Sequence, residues 1–262
     1  MSASCEWRPA FRADWAEAAF VHFAIEPTRL QPAVPFALDL HEGLAYVSLV
    51  AFTMRRFRPA WLDSSLGERL LRPVAPCRFL NVRTYVRAGE NTGIFFLGEW
   101  LSRWANIPLG PLLYGLPYHA GHLDYERSED GGVLKADVRS LGGQRLAFEA
   151  RRHPEIPLAI ATPGSLDAFL LERYLAFTCR RGKPLVFRVE HSPWAQARAG
   201  VTLDAASLLQ ATGKWFDGAR LAGGHLTPGA FDVAMGAPKR IALSLLRRRE
   251  PRSAFLQAPL LD

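Results

Sequence analysis

Residues 77–100 constrain the fold more than any other stretch, because they read as two β-strands joined by a tight turn. Apolar and polar side chains alternate over residues 81–87, which is the period of a strand with one buried face. Residues 88–93 (AGENTG) provide two glycines for the turn of a β-hairpin. One face of the first strand carries Asn81, Arg83 and Tyr85. That face is a binding site if it points into a closed β structure, and an ordinary polar surface if it points to solvent.

The rest of the chain predicts a mainly β protein. Residues 44–56 are apolar at both alternating sets of positions, as in a strand that is covered on both sides. Turn residues at 128–131 and 141–143 separate three predicted strands within residues 118–152. Further strands are predicted at 11–25, 36–40, 174–180, 185–191 and 231–235, and short helices at 28–34, 66–71, within 101–116, at 166–172 and at 204–210. The predicted fold class is therefore α+β, mainly β.

We expect a single domain over residues 1–238, followed by a basic C-terminal tail at 239–262. No internal repeat or composition break marks a second domain. The formal charge is +7, and the tail contributes +4 of it through six basic and two acidic residues. The remaining basic residues are interleaved with acidic ones, so we expect no nucleic-acid partner. The tail is interpreted as a solvated terminus, with a membrane-surface or partner-binding helix as the alternative.

Composition and local motifs exclude several kinds of site. The chain has no apolar run of the ~20 residues that span a membrane and no secretory signal, so we expect a cytoplasmic protein without a membrane partner. His119, His122 and Asp124 alternate between the two faces of a predicted strand, so no metal site is expected there. Neither a phosphate-binding loop nor a dinucleotide-binding glycine motif occurs, so no cofactor is expected.

Several short segments, taken in order, resemble one bacterial family. They are residues 20–55, NVRTYV at 81–86, LPYHA at 116–120, FLLERY at 169–174 and HSPW at 191–194. Together they resemble the YqjF-like family of unknown function, from about Trp15 to Trp194. That family is similar to acetoacetate decarboxylase. The resemblance implies a large, mainly antiparallel sheet curled into a cone-shaped barrel around a central pocket, with a few peripheral helices.

The same resemblance implies that the decarboxylase chemistry is missing. The decarboxylase works through a lysine that forms a Schiff base, assisted by a glutamate on a strand. The turn that precedes the lysines resembles residues 115–117, but the next residues are Tyr118 and His119, which form no Schiff base. Asn81 stands near the position of the expected carboxylate, unless Glu99 replaces it from the partner strand. We therefore expect no Schiff-base lysine.

The remaining polar residues form a predicted site, and each has a structural alternative. Arg83 suits a carboxylate ligand because its guanidinium donates two parallel hydrogen bonds, but a salt bridge to Glu99 across the hairpin is equally compatible with the sequence. Tyrosines often pack in a barrel with a hydrated hydroxyl, and His22 has the pattern of a core histidine. The predicted catalytic residues are His119 and Tyr118, and the predicted ligand-binding residues are Asn81, Arg83, Tyr85, Glu99 and His22.

We therefore interpret the chain as a small-molecule-binding protein, with a small carboxylate or carbonyl compound as ligand. The sequence is compatible both with an enzyme and with a binding protein that has no activity. If it is one, the expected chemistry is of the lyase or isomerase type, through acid–base groups without a Schiff base or a metal. A homo-oligomer is compatible with the sequence. The alternative is a non-catalytic structural or protein-interaction module whose barrel is filled by its own side chains. The ligand hypothesis requires Arg83, Tyr118 and His119 to converge on one cavity.

Overall fold

The computed structural model describes residues 7–62, 64–242 and 244. Thirteen strands among these residues form one sheet, and the helices are short. The strands are β1 (Pro9–Ile25), β2 (Ala37–Leu38), β3 (Ala45–Pro59), β4 (Cys77–Ala88), β5 (Asn91–Leu101), β6 (Tyr118–Arg127), β7 (Val133–Ser140), β8 (Arg145–Arg152), β9 (Leu175–Arg180), β10 (Lys183–Glu190), β11 (Ala197–Ala206), β12 (Arg220–Gly236) and β13 (Lys239–Arg240). The α-helices are α1 (Pro27–Leu30), α2 (Ser64–Leu70), α3 (Leu109–Tyr114), α4 (Leu166–Leu171) and α5 (Ser207–Gln210), and 3₁₀ turns lie at Gln31–Ala33, Trp104–Asn106 and Lys214–Gly218.

The sheet closes on itself twice. Pairing of β10 with β12 and of β4 with β5 closes a ring of seven strands, in the order β12, β10, β9, β5, β4, β3 and β1. A second ring of nine strands runs through β5, β6, β7, β8, β11, β12, β1, β3 and β4. The pairs are antiparallel except for β5 with β6 and β5 with β9. Five strands, β12, β1, β3, β4 and β5, therefore form a wall that both rings share.

Side chains of the shared wall alternate between two separate cores, because successive residues of a strand point to opposite faces. On β3, Ala45, Val47, Leu49 and Ala51 belong to the core of the nine-strand ring. Tyr46, Val50, Phe52 and Met54 belong to the core of the seven-strand ring. This arrangement explains why residues 44–56 are apolar at both alternating sets of positions.

The predicted fold class is confirmed: the protein is mostly β, with a large curled sheet and few helices. The predicted hairpin is formed by β4 and β5, although its turn is shorter than expected. Gly93 lies inside β5 rather than in the turn, where a Cβ atom would come within 2.4 Å of the carbonyl oxygen of Leu175 on β9. That glycine permits close contact between two strands.

The C-terminal part of the sheet differs from the prediction. A strand was expected only at 231–235, whereas β12 spans Arg220–Gly236, and β11 precedes a helix that begins only at Ser207. Gly223, Gly224, Pro228 and Gly229 make the start of β12 look like a loop. Gly224 has a packing role, since a Cβ atom there would lie 2.5 Å from the Phe20 carbonyl oxygen on β1.

The predicted domain boundary at residue 238 stays a prediction. Lys239 and Arg240 still pair with β10, through Val186 and Leu185. The rest of the predicted tail lies outside the described residues, apart from 241, 242 and 244. None of the helices in the described ranges has the length and apolar character that a membrane span requires.

Candidate ligand-binding cavity

The seven-strand ring encloses a cavity of about 350 Å³. This volume is within the range of ligand sites in proteins. Its walls are mainly aromatic and aliphatic, with Phe52, Phe79, Phe96 and Phe187 among the lining side chains and α3 covering part of it. The nine-strand ring is filled by side chains such as Phe148, so the predicted alternative of a self-filled ring describes only that half of the molecule.

One row of polar groups crosses the cavity wall. Asn81 on β4 is paired in register with Glu99 on β5, and Glu99 is paired with Tyr118 on β6. All three line the cavity. Asn81 Oδ1 and Glu99 Oε2 are buried and have no hydrogen-bond partner among the described residues. The register thus brings an amide, a carboxyl and a phenol together, with two oxygens free for a ligand.

Glu99 is a buried acid that forms no ion pair with any of the described residues. Its residue is 2% exposed, and burial raises the pKa of its carboxyl well above the ordinary value of 4.5. The pKa of Tyr118 is also raised, first by burial and then by the neighbouring Glu99. Glu99 therefore keeps its proton to a higher pH than an exposed glutamate does, and in their protonated forms Glu99 and Tyr118 can donate hydrogen bonds to a ligand oxygen.

Arg83 lines the same cavity but does not pair with Glu99. A register shift between Val82 and Arg83 places Arg83 opposite Phe96 on β5. Its Nη2 donates to the carbonyl oxygen of Leu170 (3.3 Å), and its Nε is buried without a partner. Burial lowers the pKa of this guanidinium. The salt bridge that the sequence allowed is not formed, and Arg83 has no carboxylate partner within the described chain.

A second set of cavity residues was not predicted. Arg173 lines the cavity and is held by Asp39 (Nη1–Oδ2 2.9 Å). His191 also lines it, and its ring lies 5.0 Å from that of Trp194. Burial lowers the pKa of His191, and Trp194 Nε1 is buried without a partner. Both HSPW and FLLERY were recognised as family segments, but nothing in their spacing indicates that they meet at a cavity.

The structure places His119 outside the cavity. Because neighbouring strand residues point to opposite faces, His119 lies on the other face of β6 from Tyr118. It is exposed, with its ring 5.3 Å from that of Trp100. The prediction that Arg83, Tyr118 and His119 converge is therefore wrong for His119, and correct in geometry for the other two.

Tyr85 and His22 face the interior of the seven-strand ring but do not line the cavity. Tyr85 shares a face with Arg83, as predicted, but its hydroxyl bonds to the Leu170 carbonyl oxygen (2.8 Å). His22 contacts Ser48 (2.7 Å) and His225 (2.9 Å). Neither residue lines the cavity.

No lysine lines the cavity. All four lysines fall within the described residues. Lys135 lies on β7, Lys183 on β10, Lys214 in a 3₁₀ turn and Lys239 on β13.

Comparison with known proteins places this fold in context. Residues 12–222 match the DUF2071 family, described as an uncharacterized conserved protein. The uncharacterized protein YqjF of Bacillus subtilis is 26% identical over 204 residues, which cover 77% of this chain and 81% of that protein.

Solved structures have the same fold at low identity. An acetoacetate decarboxylase-like enzyme from Sphingomonas wittichii RW1 superposes with a TM-score of 0.61 at 15% identity, covering 89% of this chain and 94% of that one. Acetoacetate decarboxylase from Legionella pneumophila gives 0.60 at 13% identity, covering 92% of each chain. The enduracididine biosynthesis enzyme MppR, in complex with pyruvate, gives 0.61 at 13% identity, covering 92% of this chain and 94% of that one.

Proposed function

Since the chain belongs to the DUF2071 family of uncharacterized conserved proteins, and has the fold of acetoacetate decarboxylase-like proteins, we propose that it binds a small carboxylate that also carries a carbonyl group. The observation that carries this proposal is Arg83. It is a guanidinium only 6% exposed, at the wall of an apolar cavity, without an anionic partner in the described chain.

A buried cation without a partner is costly, because the low-dielectric interior replaces none of its hydration. A ligand carboxylate would offset this cost by accepting charge-assisted hydrogen bonds from the Arg83 guanidinium. Nε, which has no partner, and the second terminal nitrogen are the groups available to it. The apolar walls then suit a ligand whose body is a short or aromatic hydrocarbon.

The row of Asn81, Glu99 and Tyr118 supports the carbonyl part of the proposal. Protonated Glu99 and Tyr118 donate hydrogen bonds, and the Asn81 amide can both donate and accept them. A carbonyl oxygen accepts such bonds but gives none, which fits two adjacent donors. The binding of a keto acid by a protein of the same fold, MppR with pyruvate, agrees with this ligand class.

Any reaction at this site would be acid–base chemistry without a Schiff base. A Schiff base needs a lysine amine at the ligand carbonyl, and none of the four lysines of this chain lines the cavity. Glu99, with its proton retained, is the general acid in this proposal, and Tyr118 assists it. His119 has no part in it, because it faces away from the cavity.

The test is ligand binding by an arginine variant and a matched control. Pyruvate and phenylpyruvate are titrated calorimetrically against the protein, together with their uncharged amides. Arg83→Met should weaken carboxylate binding by at least about 30-fold, the cost of losing a buried charge pair, and should leave the amides unaffected. Arg152→Met is the control, since Arg152 also has a buried Nε without a partner but lies on β8, away from the cavity.

The variant also has a stability readout that does not need the right ligand. Removing an unpaired buried charge while keeping apolar volume should leave the unliganded Arg83→Met protein at least as stable as wild type. Carboxylate binding that survives in Arg83→Met would overturn the proposal, as would equal binding of acids and amides by the wild-type protein.

A further inference from the structure

A continuous row of close polar contacts lies inside the seven-strand ring, beside the cavity. It begins near the surface, at Asp167, and ends at the carbonyl that holds Arg83. The contacts are Asp167 Oδ1 to His225 Nε2 (3.2 Å), His225 Nδ1 to His22 Nε2 (2.9 Å), His22 Nδ1 to Ser48 Oγ (2.7 Å), Ser48 Oγ to Tyr85 Oη (2.5 Å) and Tyr85 Oη to Leu170 O (2.8 Å). The first of these is a charge contact rather than a well-aligned hydrogen bond, and the others are hydrogen bonds.

The members of this row come from distant parts of the chain and are almost fully buried. His22 and His225 are 1% and 3% exposed, and Ser48 and Tyr85 are not exposed at all. His22 and His225 are 203 positions apart in sequence, on the paired strands β1 and β12. Two histidines in direct contact inside a protein are not needed for packing, since apolar residues fill such positions at lower cost.

The three hydrogen bonds that join Tyr85, Ser48, His22 and His225 can all be donated toward His225 or all toward Tyr85. In the first orientation, Tyr85 donates to Ser48, Ser48 to His22 Nδ1, and His22 Nε2 to His225 Nδ1. The Nε2–H of His225 then faces the Asp167 carboxylate, and both histidines are neutral. In this state Tyr85 does not donate to the Leu170 carbonyl oxygen, which keeps its hydrogen bond from Arg83 Nη2.

In the second orientation the three hydrogen bonds between Tyr85, Ser48, His22 and His225 are reversed, and Tyr85 donates to Leu170 instead. His225 Nδ1 donates to His22, His22 Nδ1 to Ser48, Ser48 to Tyr85, and Tyr85 to the Leu170 carbonyl. His225 keeps its Nε2–H against Asp167 and is now an imidazolium. The second orientation has one more N–H or O–H bond than the first. The two states therefore interconvert by gaining or losing a single proton.

We infer that Asp167, His225, His22, Ser48 and Tyr85 form a proton relay, in which protonation of His225 near the surface reverses the hydrogen bonds as far as the carbonyl that holds Arg83. One solvent proton is taken up in the change from the first orientation to the second. His22 gives its Nε2 proton to His225 Nδ1 and gains one at Nδ1, while the hydroxyls of Ser48 and Tyr85 turn to their other neighbours. The net result is one imidazolium, His225, beside the Asp167 carboxylate, and the reverse change releases the proton to solvent.

The charges around the relay set which state is favoured. Arg198 holds Asp167 through two contacts (2.9 and 3.1 Å), and Arg83 disfavours a charge on His22. Arg173, paired with Asp39, lies over the Tyr85 ring at 5.2 Å. Burial lowers the pKa of His225, which Asp167 partly opposes, and burial lowers that of His22 further. The first orientation, with both histidines neutral, is therefore the resting state at neutral pH. When the pH falls, His225, beside Asp167, is the first of the two to be protonated.

The relay gives the cavity a link to protons, and this step rests on the proposed function. An anion held by Arg83 lies near the inner end of the row and stabilises a positive charge on it. Linkage is reciprocal, so carboxylate binding should take up part of one proton, and the affinity should rise as the pH falls.

The relay itself is tested in the unliganded protein, by nitrogen NMR of labelled histidines over pH 4–9. We expect His22 to change from the Nε2–H to the Nδ1–H tautomer at the same pH at which His225 becomes an imidazolium. The exposed His119 serves as an internal reference for an uncoupled ring. A His22 that keeps one tautomer while His225 titrates would overturn the relay, and so would two histidines that do not titrate at all in this range.

A matched pair of variants separates a relay from simple packing. Ser48→Ala removes the acceptor of His22 Nδ1–H in the loaded state, so loading of His225 should shift to lower pH by about one unit. Thr84→Val removes another buried hydroxyl of the same wall, which bonds only to the Tyr46 carbonyl (2.8 Å), and should leave the titration unchanged. Equal titration in both variants refutes the relay.

Calorimetry in buffers of different ionisation enthalpy completes the test with phenylpyruvate as the probe. Proton uptake on binding, lost in Ser48→Ala, supports the link to the cavity. Binding without proton uptake overturns that link but leaves the proposed function intact. Failure of the probe and of pyruvate to bind counts against the proposed function alone, since the NMR result stands without a ligand.

Discussion

Glu99 offers the sharpest test of the cavity's electrostatics. The carboxyl is buried and forms no ion pair with any of the described residues, and burial raises its pKa well above 4.5. In the unfolded chain Glu99 ionises near its ordinary value, whereas in the folded protein it keeps its proton to higher pH. Raising the pH therefore favours the unfolded state, in which Glu99 ionises more easily. The free energy of unfolding should fall as the pH rises.

The magnitude follows from one proton. Stability from Glu99 is fully present below pH 4.5 and is lost progressively as the pH rises toward the folded-state pKa. Within that window the free energy of unfolding of the wild type falls, relative to Glu99→Gln, by about 1.4 kcal/mol per pH unit. Two pH units give about 2.7 kcal/mol, which is well above the error of a denaturation experiment. Glutamine is the right replacement, because it keeps the shape of the acid and has no proton to lose.

The assay is urea denaturation of the wild type and of Glu99→Gln at pH 5.5, 6.5 and 7.5. The difference between the two proteins should change in favour of the variant as the pH rises, until the folded-state pKa of Glu99 is reached. Glu126→Gln, at an exposed position of β6, is the matched control and should follow the wild type at each pH. A difference between wild type and Glu99→Gln that is constant with pH would refute the argument, because it would mean that Glu99 ionises equally in both states.

Two further perturbations test the architecture. Gly93→Ala should destabilise the protein by about 3 kcal/mol through overpacking, because its Cβ would lie 2.4 Å from the Leu175 carbonyl oxygen; Gly200→Ala, whose nearest atom is at 3.9 Å, should change stability little, and equal effects in thermal denaturation would contradict this account. Arg173→Met should cost about 3 kcal/mol in urea denaturation by leaving the buried Asp39 with only a single, exposed arginine partner, and an unchanged midpoint would show that the pair adds nothing.

Local patterns predicted much of the fold and part of the site. The alternation over 81–87 correctly gave β4 and the shared face of Asn81, Arg83 and Tyr85, because a period of two follows from strand geometry alone. The apolar character of residues 44–56 on both faces correctly indicated a strand covered on both sides. Such features are encoded within one element, so a single sequence is enough to reveal them.

The features that could not be predicted depend on contacts between distant elements. The register shift at Arg83 decides that it does not reach Glu99, and nothing near either residue encodes the shift. His119 was favoured for its position after a turn, but strand alternation turned it outward. His22 was recognised as a buried histidine, whereas its partner His225 lies in a glycine-rich strand that looked like a loop.

The shared wall has a consequence for how such a protein diversifies. On β3, even-numbered positions face the seven-strand ring, which holds the cavity, and odd-numbered positions face the nine-strand ring. Substitutions at even positions can reshape the ligand cavity while the core of the nine-strand ring is left unchanged. A single-residue insertion would exchange the two sets and damage both at once. In this architecture, single substitutions can therefore change ligand preference, whereas insertions or deletions in the shared wall strands disrupt both cores.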